Sequence, residues 1–226
     1  PVHHRRAARP VRRPVQHDHL PATASQRQIR PGRVRNGMAG SPGAGKTEVA
    51  TELLSFYQNM VIIDADSFRE GFPTYNGANS SEFQSGASWL VGDIFNRVSD
   101  EGYSLLLDGT FALASASKNI ERVLKRNYNV SIYYVYQDPM IAWEFVKQRE
   151  KVEGRNVPRE RFINAYFMAR HNLIKVKEKF GDQVEINILF KDFQNQISET
   201  HADTENIQMI LPELYTKDYL EENLHE

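Results

Sequence analysis

From Gly40 onward, apolar positions along the chain alternate between two kinds of segment. Short continuous apolar runs of four to eight residues read as strands buried on both faces, and longer stretches with apolar residues three and four apart read as amphipathic helices. Met60-Val61-Ile62-Ile63, 103–107, 130–136 and 184–190 belong to the first kind. Segments 46–58, 81–98, 115–126, 139–150 and 159–180 belong to the second. In the first helix Val49, Leu53 and Phe56 supply the apolar stripe. Pro139 sits where helices favour proline, at the first position. Strands alternating with helices of this length predict an α/β fold, a parallel sheet joined by right-handed crossovers with helices on both faces. Residues 201–226 are acidic and partly helical in pattern, with Leu211, Leu214, Tyr215 and Leu220 forming an apolar face expected to pack onto the domain.

Residues 1–36 break this pattern. They are rich in Arg, Pro, His, Gln and Ala, hold almost no large apolar residue, and follow neither the helical nor the strand period. Three readings compete for this leader: a solvated basic tail, a phosphate-binding arm, or sequence foreign to the domain. The expected organisation is therefore a leader over 1–36, disordered or foreign, and a folded α/β domain over 37–226 with an acidic, partly helical C-terminal segment.

Charge sharpens the division. The formal net charge of -1 hides a leader with nine Arg and one acid, Asp18, set against a remainder with 19 basic and 28 acidic side chains. A body of that sign has no general affinity for polyanions, so nucleic acid is not the expected partner. With 226 residues, 40% apolar composition, 12 Phe and 10 Tyr, the chain can fill one core. The absence of cysteine excludes disulfides, thiolate metal sites and cysteine catalysis, and it suits a reducing cytoplasm. No apolar run reaches the roughly 20 residues of a membrane span, so neither a membrane nor an export signal is expected. The seven His show no metal-ligand spacing.

The strongest chemical signal is Gly40-Ser41-Pro42-Gly43-Ala44-Gly45-Lys46-Thr47, a match to G-x-x-x-x-G-K-[ST]. That pattern describes a P-loop, in which glycines let backbone N–H groups curl round phosphate oxygens at the N-terminus of a helix. Lys46 is placed for the β and γ phosphates of ATP, and the Thr47 hydroxyl for Mg²⁺. A chance match in a chain this long is on the order of one in a hundred. The strand feeding the loop is the weak point: Arg33-Val34-Arg35-Asn36-Gly37-Met38-Ala39 carries polar residues that are costly to bury in a central strand. This reading has the leader replacing most of the first strand.

Three further sets extend the loop toward phosphoryl transfer. Asp64 and Asp66 stand two apart at a strand end and share a face, so one is placed as a base for an acceptor hydroxyl and Asp64 is a candidate metal ligand; helix capping competes for both. Asp108 ends the next apolar strand beside Thr110, placed for metal-bound water or substrate, with a turn role as the alternative. Arg149 and Arg155 bracket a polar segment after a helix, and their forked donors suit a transferring phosphate.

In order and spacing these residues resemble the zeta toxins, P-loop kinases of bacterial toxin–antitoxin systems. Four stretches carry the resemblance: 40–47; 61–69, with Asp64, Asp66 and Arg69; 97–110; and the Arg149 to Arg155 lid. The third is the most specific, because an Asp100-Glu101-Gly102-Tyr103 turn, an apolar strand and an Asp108-Gly109-Thr110 finish follow one another. The resemblance implies ATP-dependent phosphorylation of the sugar 3'-hydroxyl of a UDP-N-acetylhexosamine such as UDP-N-acetylglucosamine, which would block cell-wall precursor synthesis. It also implies Asp66 as general base, Lys46 as phosphate clamp, Asp108 and Thr110 at the family's Glu-Gly-Thr substrate contact, and Arg149 and Arg155 as phosphate-binding arginines. A small helical antitoxin is the implied partner, and the bacterial cytoplasm the implied location. Asp108 is shorter than the family's glutamate, and Phe111-Ala112-Leu113-Ala114-Ser115 lacks a polar run after Thr110. A kinase for another small metabolite or antibiotic, and a non-catalytic nucleotide-binding module, stay open.

Overall fold

The computed structural model describes residues 33–57 and 59–225. The leader over 1–32, Gln58 and Glu226 lie outside the described residues. A six-stranded sheet in the order β2-β3-β1-β4-β5-β6 organises the chain. Its strands are β1 (Val34–Ala39), β2 (Val61–Asp64), β3 (Leu105–Asp108), β4 (Asn129–Tyr136), β5 (Val184–Lys191) and β6 (Ile197–His201). The first five are parallel, as the alternation of strands and helices predicts. β6 runs antiparallel to β5 and was not foreseen; Ile197-Ser198-Glu199-Thr200-His201 is too polar to announce a strand, and its pairing with β5 makes it one. The fold is the P-loop kinase type.

Helices α1 (Lys46–Leu54), α2 (Ala65–Glu70), α3 (Gln84–Glu101), α4 (Ala116–Lys125), α5 (Pro139–Glu153), α6 (Arg159–Phe180), α7 (Ile207–Ile210) and α8 (Lys217–Asn223) complete the described chain. α1 stops before Phe56, which is 65% exposed and no part of the apolar stripe. α5 runs three residues past its expected end, so Lys151, Val152 and Glu153 of the polar segment between Arg149 and Arg155 are helical.

Two cores lie on opposite faces of the sheet. On one, Met38, Val49, Leu53, Leu106, Tyr133, Val135 and Leu189 hold α1. On the other, Phe95, Ile120, Ile132, Tyr134, Ile186, Ile188 and Leu173 hold α3, α4 and α6. α6 shows how the sequence enforces this: Phe162, Tyr166, Ala169, Leu173, Val176 and Phe180 recur at three- and four-residue intervals on its buried face. Each large apolar side chain buried this way contributes roughly 1.5–3 kcal/mol. A third cluster, with Trp143, Phe162, Leu220 and Leu224, docks α8 onto α5 and α6. The C-terminal face therefore packs through Leu211 and Leu220, whereas Leu214 stays 64% exposed.

β1 is the exception to this economy. It occupies the centre of the sheet between β3 and β4, and it takes in Val34, Arg35 and Asn36. Arg35 is 1% exposed, and among the described residues its Nε and Nη1 have no hydrogen-bond partner. Its guanidinium lies 5.9 Å from the Phe95 ring centroid, a cation–π contact in place of a counter-ion. Asn36 is fully buried with Oδ1 unpaired, and its Nδ2 reaches Met60 Sδ at 3.9 Å. The strand forms because its backbone pairs on both sides; its side chains oppose it.

Candidate active site

The carboxyl ends of β1, β2 and β3 converge where the strand order reverses, the crevice in which open α/β sheets hold ligands. β1 ends at Ala39, and Gly40 to Gly45 form a loop that opens onto the first turn of α1. Gly40 has φ +131°, and a side chain there would meet the Val135 carbonyl oxygen at 2.3 Å. Gly43 has φ +75°, and its Cβ would sit 2.2 Å from the Ala142 carbonyl oxygen. No other residue type fits either position. Ser41, Pro42 and Ala44 lie between them, with Ala44 N donating to the Ser41 carbonyl at 3.3 Å. Gly40 N donates to the Thr110 carbonyl at 3.2 Å, which ties the loop to the exit of β3.

Lys46 folds back over the loop, and its Nζ donates to the Ser41 carbonyl at 2.7 Å. Burial pushes its ammonium down to about 8; Asp108 and Asp66 oppose that fall, and Arg155 and Arg149 add to it. Asp108 is drawn the other way: burial raises its carboxyl, against the pull of Lys46 and a hydrogen bond from Thr47. A hydroxyl and a carboxylate side by side beneath the loop form an oxygen-rich pair of the kind Mg²⁺ takes. Thr47 and Asp108 fit that ion.

The two aspartates at the end of β2 and the start of α2 part company. Asp64 caps α2, accepting from Asp66 N at 3.0 Å, Ser67 N at 3.1 Å and Ser67 Oγ at 2.9 Å. Both its oxygens serve the helix, and it lies in register with Asp108 on β3. Asp66, in the first turn of α2, points instead toward the lid, where Arg69 and Arg155 pair with its two oxygens. With Glu70, Tyr75, Asn76, Gly77, Arg149 and Glu153, Asp66 and Arg155 line a polar cavity of about 240 Å³. Arg149 faces that cavity through an ion pair with Glu153 at 3.0 Å, one helical turn on. The arginines that bracket the lid therefore hold different partners.

The Thr110 carbonyl accepts from Gly40 N of the loop, and its Oγ1 accepts from Ala112 N at 3.4 Å. Beyond it the chain turns through Phe111 at φ +62°, pinned by Asn172 Nδ2 on α6, which donates to the carbonyls of Phe111 and Leu113 at 2.8 and 3.1 Å. Asn172, Arg69 and Gln84 are the polar residues that sequence reasoning missed. The usable signal was for Arg69 alone: it follows Asp66 by three residues, the spacing that puts both on one face of a helix.

A family model described as "Zeta toxin" matches residues 23–204 of the chain. The chain belongs to the zeta toxin family. Among zeta toxin relatives, "Toxin PezT" of Streptococcus pneumoniae serotype 4 is 30% identical over 115 residues, 47% of this chain and 46% of that protein. "Toxin zeta" of Streptococcus pyogenes is 23% identical over 149 residues, 54% of this chain and 52% of that protein. The chain spans about half the length of the curated relatives it matches. Among solved structures, that of the PezAT chromosomal toxin–antitoxin system of Streptococcus pneumoniae superposes with a TM-score of 0.60 at 20% identity, covering 84% of this chain and 83% of that one. The AvrRxo1-ORF1:-ORF2 structure with ATP gives 0.59 at 14% identity, covering 76% and 57%. At those identities the likeness extends to the fold. Among the described residues, no helix of this zeta toxin family member is long and apolar enough to cross a membrane.

Proposed function

We propose that this protein is an ATP-dependent kinase that transfers the γ-phosphate to the sugar 3'-hydroxyl of a UDP-N-acetylhexosamine such as UDP-N-acetylglucosamine, acting in the bacterial cytoplasm to block cell-wall precursor synthesis. The observation that carries it is the convergence of Lys46, Thr47, Asp66, Asp108 and Arg155 at the carboxyl ends of three parallel strands. A module that only binds nucleotide needs the loop and none of the rest.

Gly40 to Thr47 present backbone N–H groups and the α1 N-terminus to the phosphates. Lys46, Arg149 and Arg155 oppose the charge on the equatorial oxygens of the transferring group. Asp66 accepts the proton of the acceptor hydroxyl as that oxygen bonds to the γ-phosphorus and the bond to the ADP oxygen breaks. Thr47 and Asp108 would hold Mg²⁺ and its waters, which supplies charge neutralisation between the β and γ phosphates. Asp108 and Thr110 would contact the acceptor from the β3 side. Family membership supports the acceptor class, and the polar cavity beside Asp66 offers hydroxyl and carboxylate groups to a sugar. The toxin–antitoxin system of the PezAT structure supports a small antitoxin as partner.

Incubation with ATP and a panel of UDP-sugars, with the Asp66→Asn variant as control, tests the proposal. A phosphorylated UDP-sugar formed by the native chain and lost in the variant is the expected result. Phosphorylation of small alcohols or aminoglycoside-type acceptors instead, favoured by the shorter Asp108, would replace the acceptor; nucleotide binding with no transfer to any acceptor would leave only the binding module.

A further inference from the structure

Both oxygens of Asp66 are engaged, each by a different arginine: Oδ1 accepts from Nη1 of Arg69 and Oδ2 from Nη1 of Arg155. The two arginines differ in how firmly they are held. Arg69 is on the same helix, its side chain is 7% exposed, and its second terminal nitrogen donates to Gln84 Oε1 at 2.6 Å. Gln84 is fixed in turn, accepting from Arg161 Nη1 at 2.9 Å and donating to Ser88 Oγ at 2.9 Å. Arg155 lies in residues 154–158 between α5 and α6, which form neither helix nor strand, and its side chain is 25% exposed. It lines the same polar cavity as Asp66 and Arg149, open to an anion entering beside the base.

A guanidinium in that place has two competing anions to serve. We propose that Arg69 is the positioning residue that keeps Asp66 aimed at the acceptor, and that Arg155 is exchangeable, leaving Asp66 for a phosphate so that the base is uncovered only when nucleotide is in place. The inference rests on the kinase reading and adds to it an order of events: Asp66 and nucleotide compete for Arg155. A hydroxyl entering before nucleotide finds the base covered, which protects ATP-free protein from unproductive acceptor binding.

Competition of this kind is measured without turnover, using a non-hydrolysable ATP analogue and a double-mutant cycle. Asp66→Asn removes the rival anion, and it should tighten analogue binding about fivefold in the chain that carries Arg155 and less than twofold in the Arg155→Met background. An equal gain in both backgrounds would assign the effect to plain repulsion between Asp66 and phosphate and overturn the exchange, as would no gain. For the positioning role, Arg69→Met should lower kcat at least about tenfold while leaving analogue affinity within about twofold, and Arg69→Lys should recover most of kcat. A full-rate Arg69→Met, or loss of kcat and affinity together without rescue by lysine, overturns it. Gln84→Met provides a milder second variant should Arg69→Met fail to fold; it frees one Arg69 nitrogen and should give an intermediate loss of kcat. Coupled binding without transfer to any UDP-sugar would uphold the exchange and remove the acceptor reading, whereas a chain that binds no nucleotide overturns both.

Discussion

The proposed phosphate half of the site and its proposed acceptor half are built from different materials. Gly40 to Gly45 form the first from backbone, in conformations where a single added carbon would collide with the Val135 or Ala142 carbonyl. Asp66, Arg69, Arg155 and Gln84 form the second from side chains drawn from two helices and an irregular segment. A backbone cradle depends on local sequence and one supporting strand. A side-chain cluster depends on the tertiary structure that brings its members together, and its members can change partners.

The largest break in this comparison should come from the acceptor half. Asp66→Asn is expected to lower the transfer rate by about 10³-fold with nucleotide still bound, read by steady-state kinetics beside analogue titration. Gly43→Ala attacks the other half: about 1–3 kcal/mol of backbone strain should appear as roughly 10- to 100-fold weaker ATP binding, or as an equal loss of fold stability in denaturant titration. Relief is expected beneath the loop. Arg35→Leu replaces a buried guanidinium that has no counter-ion among the described residues, and it should raise unfolding free energy by about 1–3 kcal/mol, seen as a higher urea midpoint.

The smallest effect concerns the one charged side chain of the phosphate half. Lys46 is held at about 8 in the folded chain against an ordinary value of 10.5, so the unfolded chain binds that proton more tightly. Its contribution to stability is flat below about pH 8 and rises between about 8 and 10.5. Lys46→Met should remove that rise, on the order of 1–2 kcal/mol, from urea midpoints compared at pH 7.5 and 10.

The same difference in material decided what could be read from sequence. The loop, α6 and β4 are local patterns, and they stand where glycine spacing and apolar period put them. Asp64 and Asp66 looked equivalent because a strand-end pair shares a face, yet three donors at the start of α2 claim Asp64 and leave Asp66 to the lid. Arg69 and Gln84 are 15 residues apart and meet only because α2 packs on α3. β6 is too polar to signal itself and exists through its pairing with β5. Arg35 and Asn36 were legible as trouble in β1; that the strand forms around them follows from backbone pairing along its whole length with β4 and over Arg35 to Gly37 with β3, which single-residue polarity does not reveal.

β2 stands at the margin of the sheet with one neighbour, whereas β1 has two. Mutational drift at the outward positions of β2 therefore disturbs little: Ile62, half exposed on that margin, already faces solvent, whereas Ile63 and Phe68 stay packed in the core. Lineages descended from such a chain are free to try new acceptors by varying the edge while inheriting an unaltered centre. On the proposed reading, substrate range should diversify faster than nucleotide use among its relatives, because acceptor contacts would fall on the replaceable border of the sheet and nucleotide contacts on its keel.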